Sequence, residues 1–196
     1  MSSSRANKLL HAALACACLL ALALGSSATA QTTSSTGGAA FVPPPPPPKK
    51  AKLVNGRLIA PRSAPKRVKR VIKFANRIRR RPYRYGGGHK VYASMTTKKK
   101  LDSGYDCSGA VSYALYGGRF LRSPLDSSGF MSWRSKGPGR WMTVYAHGGH
   151  AYLVVAGFRF DTSMHDSDAP GPGTGPRWSR KLRRSSEFVA RHPRGY

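Results

Sequence analysis

The feature that most limits how this chain folds is an uninterrupted run of six prolines at residues 43–48. Proline fixes the backbone φ angle and removes an amide donor, so such a run is extended and joins neither a helix nor a central strand. A Ser/Thr/Gly-rich stretch precedes it, and we expect residues 49–65 to be irregular because two further prolines punctuate them. The pattern predicts a disordered basic linker over residues 31–65 and one folded domain over residues 66–196.

Residues 1–30 have the features of a cleavable signal peptide. Two basic residues come before an apolar run of 16 residues, and small residues follow at 28–30. A membrane-spanning helix needs about 20 apolar residues, so we favour cleavage over an uncleaved anchor and expect no integral membrane span. Cleavage would remove Cys16 and Cys18 and leave Cys107 as the one thiol. The predicted location is secreted, either extracellular or in the cell envelope.

The formal net charge is +27, and loss of the signal peptide would lower it by only two. Residues 49–100 contain nineteen Lys or Arg and no Asp or Glu, so the basic character lies in the linker and the first part of the domain. Nucleic acid is the usual partner of such a stripe inside a cell. Export removes that expectation and favours anionic cell-wall polymers or lipid surfaces, with a merely solvated basic face as the alternative.

Apolar residues recur at three- and four-residue spacing over residues 66–80 and predict an amphipathic helix that ends before Pro82. A second helix should begin at Cys107, with Asp106 as its cap, and a short helical turn should follow within residues 127–133. From Trp141 onward the pattern is that of strands: 141–145, 151–156, 158–162 and a last one near 188–190. Helices followed by antiparallel strands indicate an α+β domain, with the N-terminal helices packed on the sheet.

Cys107 has the sequence context of a reactive thiol. The first turn of a helix favours the thiolate through the helix dipole and its free amides. A buried cysteine that acts as a small apolar filler is the alternative, but the flanking residues Asp106, Ser108 and Gly109 are polar or small. A nucleophilic thiol needs a base, and His150, at the start of an apolar strand, is the best candidate, with His147 as its rival.

The third group depends on a turn. If Ala156 and Gly157 form a two-residue turn, Val155 pairs with Phe158; His150 then lies opposite Ser163, with Asp161 one diagonal step away on the same face. A three-residue turn would bring Thr162 there instead. Metal binding is a poor alternative, because one thiol and scattered histidines lack ligand spacing.

Three motifs occur in a characteristic order: Tyr83-Arg84-Tyr85-Gly86-Gly87 after Pro82, Asp106-Cys107-Ser108-Gly109, and the segment 149–155 that contains His150. Together they resemble the NlpC-type cell-wall cysteine peptidases, a bacterial branch of the papain-like fold, over about residues 66–165. The resemblance implies a cofactor-free endopeptidase that hydrolyses amide bonds in peptidoglycan stem peptides, often between D-glutamate and a diamino acid.

The resemblance also implies roles for individual residues. Cys107 would be the nucleophile and His150 the base, and Tyr83 would lie near the oxyanion site with the backbone amide of Cys107; Ser108 belongs to the same substrate-binding group. The third position, usually His, Asn or Gln, is offered here by Asp161 or Thr162. Two alternatives stay open: a non-catalytic protein that binds the anionic cell wall, and an amidase or acyltransferase of the same fold.

Overall fold

A computed structural model describes residues 50–90, 101–163 and 175–196. The predicted signal peptide, the proline run and two loops, 91–100 and 164–174, lie outside these residues. The division of the chain into signal peptide, linker and domain therefore stays a prediction. Within the described ranges, no helix combines the length and the hydropathy that crossing a membrane requires.

The described residues form a small hairpin, three helices and a six-stranded antiparallel sheet with the strand order β3-β8-β4-β5-β6-β7. This arrangement confirms the predicted α+β class. The helix α2 lies between α1 and strands β5 and β6, so the core forms between the helices and the sheet. The elements are α1 (Lys66–Ile78), α2 (Cys107–Gly117), α3 (Ser127–Met131), β1 (Lys52–Val54), β2 (Arg57–Ile59), β3 (Ser135–Lys136), β4 (Met142–His147), β5 (His150–Val155), β6 (Phe158–Asp161), β7 (Arg177–Ser179) and β8 (Val189–His192).

Helix α1 buries the apolar stripe that its periodicity predicted, including Val68, Val71 and Ile72. Part of its basic face is used inside the domain. Arg70 Nε donates to the Gly117 carbonyl at 2.8 Å, and Arg67 Nε donates to the Gly118 carbonyl at 2.8 Å. These carbonyls end α2 and have no partner within that helix, so the two guanidinium groups satisfy them and complement the negative end of its dipole.

The hairpin β1–β2 corrects the prediction that residues up to 65 are irregular. Its turn is Asn55-Gly56, and both residues have positive φ, at 48° and 70°. Asn-Gly between two short apolar segments is a hairpin signal that the prolines at 61 and 65 had obscured. Buried Leu58 holds the hairpin on the domain, because Asn76 of α1 accepts from its amide at 3.0 Å and donates to its carbonyl at 2.8 Å.

The β5–β6 hairpin has the predicted two-residue turn. Val155 pairs with Phe158, and the turn residues Ala156 and Gly157 have φ of 49° and 84°. Strands β3 and β7 were not predicted: β3 has only two residues, and β7 is isolated by the Gly/Pro-rich stretch before it. Trp178 of β7 is buried and donates from its indole nitrogen to Asn76 Oδ1 at 3.0 Å, so this strand is tied to α1.

Candidate active site

Helix α2 begins at Cys107, as predicted, and Asp106 caps it. The Asp106 backbone is extended, and its Oδ1 accepts the Gly109 amide at 2.7 Å. The cap places the thiol on the first turn, where unpaired amides and the helix dipole favour a negative charge.

The glycine turn after Tyr85 rests directly on this first turn. The Asp106 amide donates to the Gly87 carbonyl at 3.1 Å, and the Gly86 amide donates to Asp106 Oδ2 at 3.0 Å. A β-carbon at Gly109 would overlap the carbonyl oxygen of Gly87. Close backbone contact between two segments explains the need for glycine on both sides, without any phosphate-binding role for the turn.

His150 and Asp161 meet across the β5–β6 hairpin. His150 Nε2 lies 2.9 Å from Asp161 Oδ1 and 3.4 Å from the Ser163 hydroxyl. The two-residue turn produces this pairing, and Thr162, the candidate of a three-residue turn, makes no such contact among the described residues. Since Nε2 faces Asp161, the other ring nitrogen, Nδ1, is the one left for the hydrogen bond between His150 and Cys107.

The electrostatics of the three groups favour an ion pair. Burial raises the pKa of the Cys107 thiol, but hydrogen bonds from His150, Ser127 and the Ala151 backbone outweigh it and lower the pKa to about 7. Burial lowers the pKa of His150, whereas its hydrogen bonds to Asp161 and Cys107 raise it to about 9. Between these values the thiolate and the imidazolium coexist, which is the reactive form of a cysteine nucleophile.

Asp161 lies in a network of hydrogen bonds and ion pairs, only part of which was predicted from the sequence. Its side chain is fully buried, and burial alone would raise the pKa of its carboxyl group; the hydrogen bond from His150, the Ser163 amide and the charge of Arg159 lower it to about 2. Arg183 Nη1 lies 3.4 Å from Asp161 Oδ2. Arg159 could have been anticipated, since it lies two residues before Asp161 on the same face of β6. Arg183 could not, because it lies in the irregular segment between β7 and β8 and belongs to no strand.

The thiol opens into a cleft of about 420 Å³. Tyr83 and Ser108, both predicted to lie near the substrate, line it together with Cys107. Burial and the charge of Cys107 raise the pKa of Tyr83, so its hydroxyl keeps its proton as a donor. Ser127, which the sequence did not single out, lies at the start of α3 with its hydroxyl 3.6 Å from Cys107 Sγ.

A second histidine–carboxylate pair lies in the wall of the same cleft. His89 Nε2 is 3.0 Å from Asp106 Oδ1 and 3.3 Å from the Ser108 hydroxyl. The hydrogen bond to Asp106 raises the pKa of His89. No local sequence signal places His89 at the site, because the glycine turn folds back onto Asp106 only through tertiary contacts.

Within the described ranges, no cluster of three or more His, Cys, Asp or Glu side chains is placed to hold a metal ion. The chemistry open to the site is nucleophilic attack by the thiolate, with His150 as proton donor and acceptor.

No protein-family model matches the sequence, and no curated protein matches it. Several solved structures are similar. A hypothetical invasion protein of Mycobacterium tuberculosis has 22% identity and a TM-score of 0.44 over 64% of this chain and 62% of its own. The P60 domain of an antigen from M. avium subspecies paratuberculosis has 20% identity and a TM-score of 0.45, over 64% of this chain and 94% of that one.

A third similar structure is the peptidoglycan hydrolase RipB of M. tuberculosis, with 24% identity and a TM-score of 0.43 over 65% of this chain and 68% of that one. The chain thus spans less than two thirds of the first of these proteins.

Proposed function

We propose that this protein is a cysteine hydrolase that cleaves amide bonds in the stem peptides of peptidoglycan. The observation that carries the proposal is the chain of contacts from the Cys107 thiol to His150 and on to buried Asp161, at the edge of an open cleft. The three motifs around Tyr83, Cys107 and His150 support the substrate class through their resemblance to the NlpC-type peptidases.

In the first half of the reaction, the Cys107 thiolate attacks the amide carbonyl carbon and forms a tetrahedral intermediate. The backbone amide of Cys107 and the hydroxyl of Tyr83 are the donors proposed for its oxyanion. His150, protonated on Nδ1, gives its proton to the leaving amine, and the C–N bond breaks to leave a thioester. In the second half, neutral His150 takes a proton from water as the water oxygen attacks the thioester carbon, and the C–S bond then breaks to release the carboxylic acid product and restore the Cys107 thiolate beside the His150 imidazolium.

Asp161 has two tasks in this mechanism. It orients the imidazole through the 2.9 Å contact with Nε2, and it stabilises the imidazolium before the proton is transferred. Once His150 is neutral, the buried carboxylate keeps Arg159 and Arg183 as cationic neighbours. The charge of Asp161 is therefore never left uncompensated in the protein interior.

The basic surface supports a second proposed interaction, with anionic polymers of the cell wall. The chain has 34 Lys or Arg against 7 Asp or Glu. Four of the acidic side chains are engaged within the domain: Asp102 with Lys90, Asp106 with His89, Asp126 with the Gly129 amide, and Asp161 with His150. The outward charge is thus strongly positive, and attraction to an anionic wall should weaken as salt is added. Export through the predicted signal peptide would bring the protein to that wall.

The test is digestion of purified peptidoglycan by the wild-type chain and by Cys107→Ala, with mass spectrometry of the released fragments. We expect new peptide amines and carboxylates from the wild type only. Equal fragment profiles would contradict the enzyme and favour a non-catalytic wall-binding protein. Products cut at the amide bond between sugar and peptide would indicate an amidase. Transfer of the acyl group to an added amine would indicate an acyltransferase.

A further inference from the structure

A second groove, of about 630 Å³, is lined by residues of the segment that runs from the end of α2 to the turn after α3. Its floor is apolar and includes Phe120, Leu125 and Trp133, while three arginines line its rim: Arg119, Arg122 and Arg134. All three arginines are exposed, and the groove is lined by no acidic side chain from the described residues. A concave apolar surface with converging cationic groups is the typical form of a site for an anionic organic ligand.

The arginines of this rim are available for a ligand. Arg67 and Arg70 of α1 donate to main-chain carbonyls, whereas in the described part of the chain the side chains of Arg119 and Arg122 make no hydrogen bond or ion pair. Arg134 uses one nitrogen to reach the Phe120 carbonyl at 3.3 Å and keeps its other donors. A guanidinium group presents donors in a planar fork that matches a carboxylate.

Two of these arginines also have an unfavourable backbone. Arg119 and Arg134 have φ of 61° and 53°, in the left-handed region that glycine or asparagine adopts more easily. At Arg119 this conformation ends α2: the Arg119 amide donates to the Tyr116 carbonyl at 2.8 Å and the Phe120 amide to the Leu115 carbonyl at 3.0 Å, the pattern of a Schellman motif. The features of the groove that favour a ligand are therefore its apolar floor and its positive charge.

The groove and the catalytic cleft share one wall. Asp126, Ser127 and Ser128 face the cleft with the thiol, whereas Leu125, Gly129 and Ser132, from the same segment, line the groove. A helix is about 10 Å across, and an extended peptide advances about 3.4 Å per residue. Three or four residues therefore suffice to pass from Cys107 over α3 into the groove.

From this arrangement we infer that the groove anchors a carboxylate of the same acidic peptide that the cleft cleaves, through Arg119, Arg122 and Arg134. The apolar floor takes the aliphatic part of the peptide, and the guanidinium groups take its charge. The inference rests on the proposed function for the identity of the ligand, but binding itself needs no catalysis.

Binding is therefore measured by calorimetry on the inactive Cys107→Ala chain. The probe is a soluble muropeptide, the disaccharide peptide that a glycosidase releases from peptidoglycan. We expect Arg119→Gln with Arg122→Gln to weaken its affinity about tenfold, since each removes an ion pair to the ligand. Arg57→Gln with Arg62→Gln is the matched control: the same charge is lost at two exposed positions that do not line the groove, and affinity should fall less than twofold.

A second ligand distinguishes binding through the carboxylate from other attraction between the muropeptide and the protein. The same muropeptide with its carboxylates converted to carboxamides keeps its shape and loses its charge, so it should bind about tenfold more weakly to the parent and show no further loss in the groove variant. Equal losses in the two arginine pairs, unchanged affinity of the amidated ligand, or no muropeptide binding would overturn the inference. So would a phosphate-bearing wall polymer that occupies the groove more tightly than the peptide.

The experiments distinguish failure of the proposed function from failure of the groove inference. If the wild-type chain leaves peptidoglycan uncut, the hydrolase proposal fails while the binding series still reports on the groove. If the wild type cuts and the groove variant has unchanged KM and kcat, the hydrolase stands and the groove inference fails.

Discussion

Two histidine–carboxylate pairs lie near the Cys107 thiol, and they differ in what surrounds them. In the pair His150–Asp161 the carboxylate is fully buried and the imidazole also contacts the thiol. In the pair His89–Asp106 the carboxylate caps α2 and holds the glycine turn, and 27% of the histidine side chain is exposed. The separations are nearly equal, at 2.9 and 3.0 Å, so the distance alone does not identify the catalytic pair. The hydrogen bond between His150 and the thiol is what favours His150–Asp161 as the proposed catalytic pair.

The strongest test of this contrast is His150→Gln. We expect peptidoglycan hydrolysis to fall about 10³-fold, because both proton transfers are lost while glutamine keeps much of the shape. The measurement is kcat/KM on a soluble muropeptide. His147→Gln is the control: His147 accepts the Gly149 amide at 3.0 Å, and its loss should cost less than threefold. A large loss in that control instead would make the neighbouring histidine the base.

Asp161→Asn should lower kcat/KM about 10- to 100-fold and change its pH dependence. In the wild type, activity should rise as Cys107 loses its proton near pH 7 and fall as the His150 imidazolium loses its proton near pH 9. Without the negative charge of Asp161 the pKa of His150 falls, and the alkaline limb moves to lower pH. The acid limb should move little, because Cys107 titrates while His150 still carries its proton, so the bell narrows from its alkaline side.

A profile whose limbs stay in place in Asp161→Asn would show that this carboxylate does not act on the imidazole. Ser163→Ala is the matched variant, since it removes the hydroxyl contacts with Asp161 at 3.1 Å, His150 at 3.4 Å and Arg183 at 3.0 Å and leaves the charge of Asp161. It should shift neither limb by more than a few tenths of a pH unit.

Asp106→Ala should affect stability more than any other change in the second pair. The free energy of unfolding should fall by about 2 to 3 kcal/mol, because the α2 cap is lost and the Gly86 amide loses its acceptor. Asp126→Ala is the control, because Asp126 caps α3 through the Gly129 amide and is exposed; its loss should cost about 1 kcal/mol. Urea unfolding of both variants measures the difference, and equal losses would contradict an architectural role specific to Asp106.

His89→Gln should have the smallest effect: kcat/KM within about threefold of the wild type and a stability loss of about 1 kcal/mol or less, since one partly exposed hydrogen bond to Asp106 changes. If this variant instead loses as much activity as His150→Gln, the difference between the two pairs disappears and His89 belongs to the reaction.

The predictability of the site varied with the range of the interactions. The α2 cap and the β5–β6 hairpin are local, so spacing alone placed Asp106, Cys107 and His150 and left Asp161 or Thr162 as their partner, depending on the length of the turn. The contacts of Arg183 with Asp161 and of His89 with Asp106 were not foreseen, because each joins segments far apart in sequence across loops without periodicity. The missed β1–β2 hairpin is different: its Asn-Gly turn was legible in the sequence but was outweighed by the nearby prolines.

The sequence by itself determined the thiol on a helix start and the strand that carries His150, because caps and apolar strand patterns are set by a few adjacent residues, and it left Asp161 or Thr162 as the third group. The two-residue β5–β6 turn of the structure puts Asp161 beside His150. Only the tertiary structure decided which of two similar histidine–carboxylate pairs faces the thiol. It also decided that arginines of α1 donate to the free carbonyls at the end of α2, and that residues of one short helix line both the cleft and an arginine-lined groove. Those outcomes depend on how elements pack, and packing brings together residues whose distance along the chain carries no information about it.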